Sequence, residues 1–115
     1  SWQNNQIYML NDIELASYLE INPLTFGLVK NYPNPFNPTT TIDFNLDVNS
    51  NITLAVYDIN GKLVKEIVND YMEAGYYSID WNGKNNNNLE VSSGTYICKL
   101  ISNNSSDQIK LLLIK

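Results

Sequence analysis

The stretch from Thr41 to Lys62, TIDFNLDVNSNITLAVYDINGK, decides the fold. Ile42, Phe44 and Leu46 alternate with Thr41, Asp43 and Asn45, and Ile52, Leu54 and Val56 alternate with Thr53, Ala55 and Tyr57. A period of two sends successive side chains to opposite faces of a pleated strand, so each run predicts a strand with one buried face. Asn60-Gly61 ends the stretch with a dipeptide suited to the positive φ angles of a two-residue hairpin turn. The segment from Lys62 to Asn69 is therefore predicted to fold back antiparallel. Its Leu63, Val64, Ile67 and Val68 also fit a helical spacing, but β-branched content and the preceding turn favour a strand.

Working toward the end of the chain, Gly75 opens a run in which Tyr77, Ile79 and Trp81 share the face expected to be buried, with Tyr76, Ser78 and Asp80 on the other. Asn82-Gly83 and the Asn run beyond it read as a loop, and Gly94 precedes a further strand, Thr95 to Ile101. The last segment, Gln108 to Lys115, carries Ile109, Leu111 and Leu113 on one face and Lys110, Leu112 and Ile114 on the other. Short strands punctuated by Gly and Asn turns, with no clear long helix, predict an all-β chain: a small antiparallel sandwich. The nineteen Asn residues suit such a chain, because Asn favours turns.

Composition narrows the partners. The chain has 115 residues, enough for one modest core, with 43% hydrophobic and 17% charged residues and a net charge of −5. Its seven cations are all Lys, so the guanidinium forks and cationic stripe that grip phosphate backbones are missing and nucleic acid is not an expected partner. The same shortage argues against docking on anionic lipid, and no apolar run approaches the roughly 18 residues that would span a bilayer, so no insertion into lipid is expected. Ser1 is not an initiator Met and no signal peptide is evident, which reads as a processed product or an excised terminus.

Chemistry is not expected. With no His, the Ser-His-Asp and Cys-His arrangements are impossible. Asp43, Asp58 and Asp80 are expected at solvent-facing strand positions or turns rather than in a cleft that would shift their pKa values. The oxygen-rich run containing Asp80, Asn82 and Asn85 fails the EF-hand pattern, since Asn85 falls on the required Gly and Val91 on the bidentate Glu. Cys98 shares a strand face with Tyr96 and Leu100 and reads as a buried apolar thiol. No catalytic, metal or cofactor site is expected, and the chain is read as a non-enzyme.

Ahead of the first alternating run lies Tyr32-Pro33-Asn34-Pro35-Phe36-Asn37-Pro38. Three prolines remove three backbone donors, so this segment reads as a stiff strap crossing from one sheet edge to the first regular strand, with Tyr32 and Phe36 as core anchors. The run NYPNPFNPTTTI, Asn31 to Ile42, resembles the opening of the C-terminal sorting domains of type IX secretion cargo, which are close in pattern to the immunoglobulin-like domain of flagellar hook-capping proteins. Val56-Tyr57-Asp58, Gly61-Lys62-Leu63-Val64, Ala74-Gly75, Trp81-Asn82-Gly83 and Ser93-Gly94-Thr95-Tyr96 follow in that family's order, and an apolar last strand with Lys110 and Lys115 completes it. The similarity covers residues 26–115.

The resemblance implies an immunoglobulin-like sandwich of about seven strands that directs a secreted cargo protein through an outer-membrane translocon to the cell surface. It further implies a shuttle protein of that translocon and a sortase-like peptidase as partners, and passage through periplasm and outer membrane. Tyr32, the Pro33 to Pro38 strap, Gly61, Gly75, Trp81, Gly94 and Tyr96 are its structural motif residues. Residues 1–25 fall outside it and read as a linker or the end of a preceding domain, with a short helix from Asp12 to Glu20 and a strand from Ile7 to Leu10.

Partner recognition is expected at Lys110, Leu112, Ile114 and Lys115, where the last segment would offer an edge and a free carboxylate for strand addition. The plainer reading is a strand buried on both sides, with Lys110 and Lys115 guarding an edge. In the alternative function, the domain is a retained structural or adhesive module of an extracellular assembly, self-associating as the arm from Ser1 to Leu10 pairs with a neighbouring subunit's edge.

Overall fold

The alternating segments become strands. The computed structural model describes residues 25–115, so the helix and strand expected within residues 1–24 lie outside the described residues. Strands run β1 Gly27–Tyr32, β2 Thr40–Leu46, β3 Ser50–Asp58, β4 Leu63–Met72, β5 Gly75–Trp81, β6 Gly94–Ile101 and β7 Ser106–Leu113. They form two antiparallel sheets, β1-β2-β5 and β4-β3-β6-β7. This is the immunoglobulin-like sandwich of seven strands that the periodicity and the resemblance anticipate. Strand β1 is the one element in this range that the alternation does not reveal, since Leu28, Val29 and Lys30 follow no clean period of two.

Inward-facing residues of both sheets build the core. Ile42, Phe44 and Leu46 of β2, Ile52, Leu54 and Val56 of β3, Cys98 and Leu100 of β6, and Leu111 and Leu113 of β7 are all buried. Three aromatic rings tie the strap to both sheets. Phe36 meets Trp81 at 5.5 Å between centroids, and Trp81 meets Tyr96 edge-on at the same separation. Such tilted and edge-to-face arrangements place ring hydrogens against π faces, adding about 0.5 to 1.5 kcal/mol per pair beyond area burial. Tyr96 Oη also donates to the Ser92 carbonyl at 2.6 Å, a tyrosine corner that pins the entry to β6.

Three expectations change. The turn between β3 and β4 holds three residues rather than two: the Asp58 amide donates to Lys62 O, the Gly61 amide donates to Asp58 O, and Gly61 alone takes a positive φ of 83°. Asp58 accounts for the difference, because its Oδ1 accepts the amides of both Asn60 and Lys62 and holds the wider loop. Tyr32 does not enter the core. It pairs with Thr41 on the outward side of β2, where the Lys30 ammonium sits 5.0 Å from its ring centroid. Asp43, expected in solvent, is 8% exposed although it alternates with core-facing Ile42 and Phe44, and its Oδ1 accepts the Ser78 hydroxyl from the neighbouring strand.

Candidate recognition surface

The surface around β7 is shaped by its contact with the strap. Phe36 forms a parallel bridge with Leu113, its amide donating to Leu112 O at 2.9 Å and its carbonyl accepting from the Ile114 amide at 3.0 Å. Asn34 Oδ1 accepts the Leu112 amide at 3.1 Å. One side-chain amide and one non-proline backbone unit therefore satisfy three consecutive edge groups of β7, even though the prolines around them supply no donors. Lower on the same edge, Asp107 accepts its neighbour's amide at Gln108 and reaches across to the Leu28 amide of β1 at 2.9 Å.

This arrangement revises how the expected recognition residues can act. The amide and carbonyl of Leu112 and the amide of Ile114 are already bonded to the strap, so this stretch does not present an open edge for strand addition. The reading of β7 as buried on both sides also fails. Leu111 and Leu113 are buried, whereas Leu112 and Ile114 are 38% and 51% exposed and Lys110 is exposed. Lys110 and Leu112 thus lie on the outer face of the four-stranded sheet, and Ile114 and Lys115 continue the ribbon past its end. Lys115 is fixed there: its amide donates to Ser93 Oγ at 3.0 Å and its ammonium pairs with Glu90 at 3.4 Å. A shallow cavity of about 320 Å³ beside it is lined by Pro38, Asn82, Gly83, Lys84, Glu90, Leu113 and Lys115.

The other motif residues support this ribbon. Gly75 and Gly94 open β5 and β6. Pro33 O accepts the hydroxyl of the fully buried Thr40, which fixes the strap's first half. Pro38 presents its carbonyl to Gly83, where a Cβ would sit 3.0 Å from it at a φ of +73°. Pro35 and Asn37 are exposed. Trp81 is 1% exposed and donates its indole N–H to Lys84 O at 2.9 Å, carrying the loop back over the core.

The Asn run has a structural use that composition alone does not reveal. Asn85 Oδ1 accepts the amides of Asn87 and Leu89, Asn82 Oδ1 accepts that of Lys84, and Asn86 lies along β4, taking the Glu66 amide while donating its own to Val64 O. These side chains mimic backbone turns and close part of the β4 edge. Asp80 Oδ1, on the neighbouring strand β5, accepts the Thr41 hydroxyl at 2.7 Å. Burial pushes the Cys98 thiol up to about 12, keeping it protonated and unreactive.

The FlgD Ig-like domain family matches residues 34–106, the span from the strap to the start of β7. The chain belongs to that family. Among solved structures, this FlgD-type Ig-like domain is similar to FlgD from P. aeruginosa, with 26% identity, a TM-score of 0.53, and coverage of 75% of this chain and 64% of that one. It is also similar in fold to dimeric latent PorU from Porphyromonas gingivalis, at 17% identity, TM-score 0.65 and 76% coverage of this chain. PorZ of Porphyromonas gingivalis, described as an essential bacterial surface component of the type IX secretion system, matches at 20% identity, TM-score 0.53 and 86% coverage. The chain spans 9% of PorU and 12% of PorZ, and less than two thirds of FlgD. No curated protein sequence matches it.

Proposed function

We propose that this Ig-like domain is a non-catalytic sorting module that directs an attached cargo protein through a type IX outer-membrane translocon to the cell surface. The observation that carries the reading is the ribbon from Lys110 to Lys115. Its main chain is locked by Phe36, Asn34 and Ser93 while the side chains of Lys110, Leu112 and Ile114 point outward. A pre-ordered ribbon loses little conformational entropy when a partner binds its side chains. The family's proline strap is what orders it, which links the sequence signature to the recognition role. Likeness in fold to part of PorZ supports the same setting.

In this reading a shuttle component binds the ribbon at the outer membrane, and a sortase-like peptidase removes the domain from its cargo afterwards. The chain, fused behind a periplasm-targeted fluorescent reporter, tests it in a host with type IX machinery and in its translocon-deficient mutant. Export present in the first and absent in the second is the expected result. Reporter held in the periplasm of both strains would instead make the domain a retained structural module.

A further inference from the structure

Around the ribbon, the outer face of β4-β3-β6-β7 carries a patch whose parts come from four strands. Strand pairing aligns Leu63, Tyr57, Ile97 and Lys110 in one row, and Ala55, Lys99 and Gln108 in the next. Leu112 stands opposite Thr95, beside the first row. Leu63 is 43% exposed and Leu112 38%, while Tyr57 and Ile97 are half-buried, so an apolar strip crosses the sheet with two ammonium groups along it. Lys99 lies 4.9 Å from the centroid of the Tyr57 ring, which holds its charge over the strip.

The charges on this face are out of keeping with the rest of the chain. The whole protein carries a net charge of −5. Here Lys99 and Lys110 are diagonal neighbours across the β6–β7 ladder, about 7 to 8 Å apart at the backbone, where like charges repel. Neither is paired with a carboxylate, for the single ion pair among the described residues joins Lys115 to Glu90. Glu66, the acid of this face, sits opposite Ala55 on the far side of β3 from Lys99. Two unpaired cations flanking exposed apolar groups form a surface whose complement is an acidic segment bearing apolar side chains.

We propose that this face docks an acidic segment of a partner protein, with carboxylates taken between Lys99 and Lys110 and an apolar side chain laid on Tyr57, Ile97 and Leu112. The inference rests on the sorting reading and deepens it: the recognition surface extends from β7 across β6 to β3, and its partner is defined by negative charge. Lys99 and Tyr57, which the ribbon alone does not include, become specificity residues.

The test uses the full chain behind the reporter in both strains. Lys99→Glu with Lys110→Glu is compared with Lys99→Arg with Lys110→Arg, and the thermal midpoint of each purified variant is measured. The charge reversal is expected to lower the exported fraction by about tenfold or more, since it sets like charges against an acidic partner, while the Arg pair retains export and both keep the parent's midpoint. If the reversed variant loses its midpoint, Lys99→Gln with Lys110→Gln replaces it, with a smaller loss of export expected. Parent-level export of a folded, charge-reversed or Gln variant would overturn the docking face and leave the sorting reading intact. Translocon-independent behaviour of the unmutated chain would overturn the sorting reading and this inference with it.

Discussion

Phe36 and Leu113 are joined as a parallel bridge, the strap's one buried ring opposite the last buried residue of β7. Through this bridge the proline-rich signature near one end of the domain fixes the geometry of the ribbon at the other. Replacing Phe36 with Ala would remove the ring packed on Trp81 and loosen the strap's hold on Leu112 and Ile114. A loss of about 3 to 5 kcal/mol is expected from the cavity, measured by urea unfolding. Hydrogen exchange at Leu112 and Ile114 should rise beyond that of β3, and a uniform rise would contradict the strap's local role.

How much of this was legible in the sequence differs by element. Strands β2 and β3 alternate because one face of each builds the core while the other carries mostly polar residues, which is the condition under which periodicity reports structure, whereas β6 sets Ile97 and Ile101 on the same face as Lys99 and alternates only in part. Strand β1 carried no such signal. It is an edge strand whose register shifts between Leu28 and Lys30, and a bulge erases the period of two. The sequence sets Leu112 and Ile114 on one face of the last segment, and the structure leaves both exposed, Leu112 in β7 and Ile114 just past its end; their bonded edge has no local signal, because Asn34 and Phe36 lie more than seventy positions away. The Asn run read as a loop; its pairing with β4 through Asn86 depended on tertiary placement.

Cys98 gives a pH-dependent expectation. Burial raises its thiol from 9.0 to about 12 in the folded chain. The unfolded thiol ionises first, so this group's contribution to stability is complete below about pH 9 and is lost as pH rises from there toward 12. Native protein at pH 8 should resist a thiol reagent that labels it fully in denaturant. Labelling at the rate of a free thiol in the native state would show that the core at β6 opens readily.

Gly83 meets two demands at once, a φ of +73° and the Pro38 carbonyl 3.0 Å from where a Cβ would lie. Gly83→Ala is expected to cost about 1 to 3 kcal/mol. Gly61→Ala, with a φ of +83° but open space around it, should cost only about 1 kcal/mol. Equal costs in thermal unfolding would mean that the contact with Pro38 contributes nothing.

Removing the Tyr96 hydroxyl by Tyr96→Phe leaves the ring on Trp81 and frees the Ser92 carbonyl. Destabilisation of about 1 to 2 kcal/mol is expected, with intrinsic Trp fluorescence unchanged in the native state. A neutral substitution would show that the entry to β6 is held by ring packing alone.

The decisive quantity for the recognition ribbon is the exported fraction of a reporter fused to the chain carrying Leu112→Asn with Ile114→Asn, measured beside its unfolding midpoint. Both side chains project outward and their backbone bonds to the strap do not depend on side-chain identity. Export is expected to fall to the level of the translocon-deficient strain while the midpoint stays within a few degrees, about what a 1 kcal/mol change produces. Export equal to the parent, from a variant that folds equally well, would contradict recognition at β7.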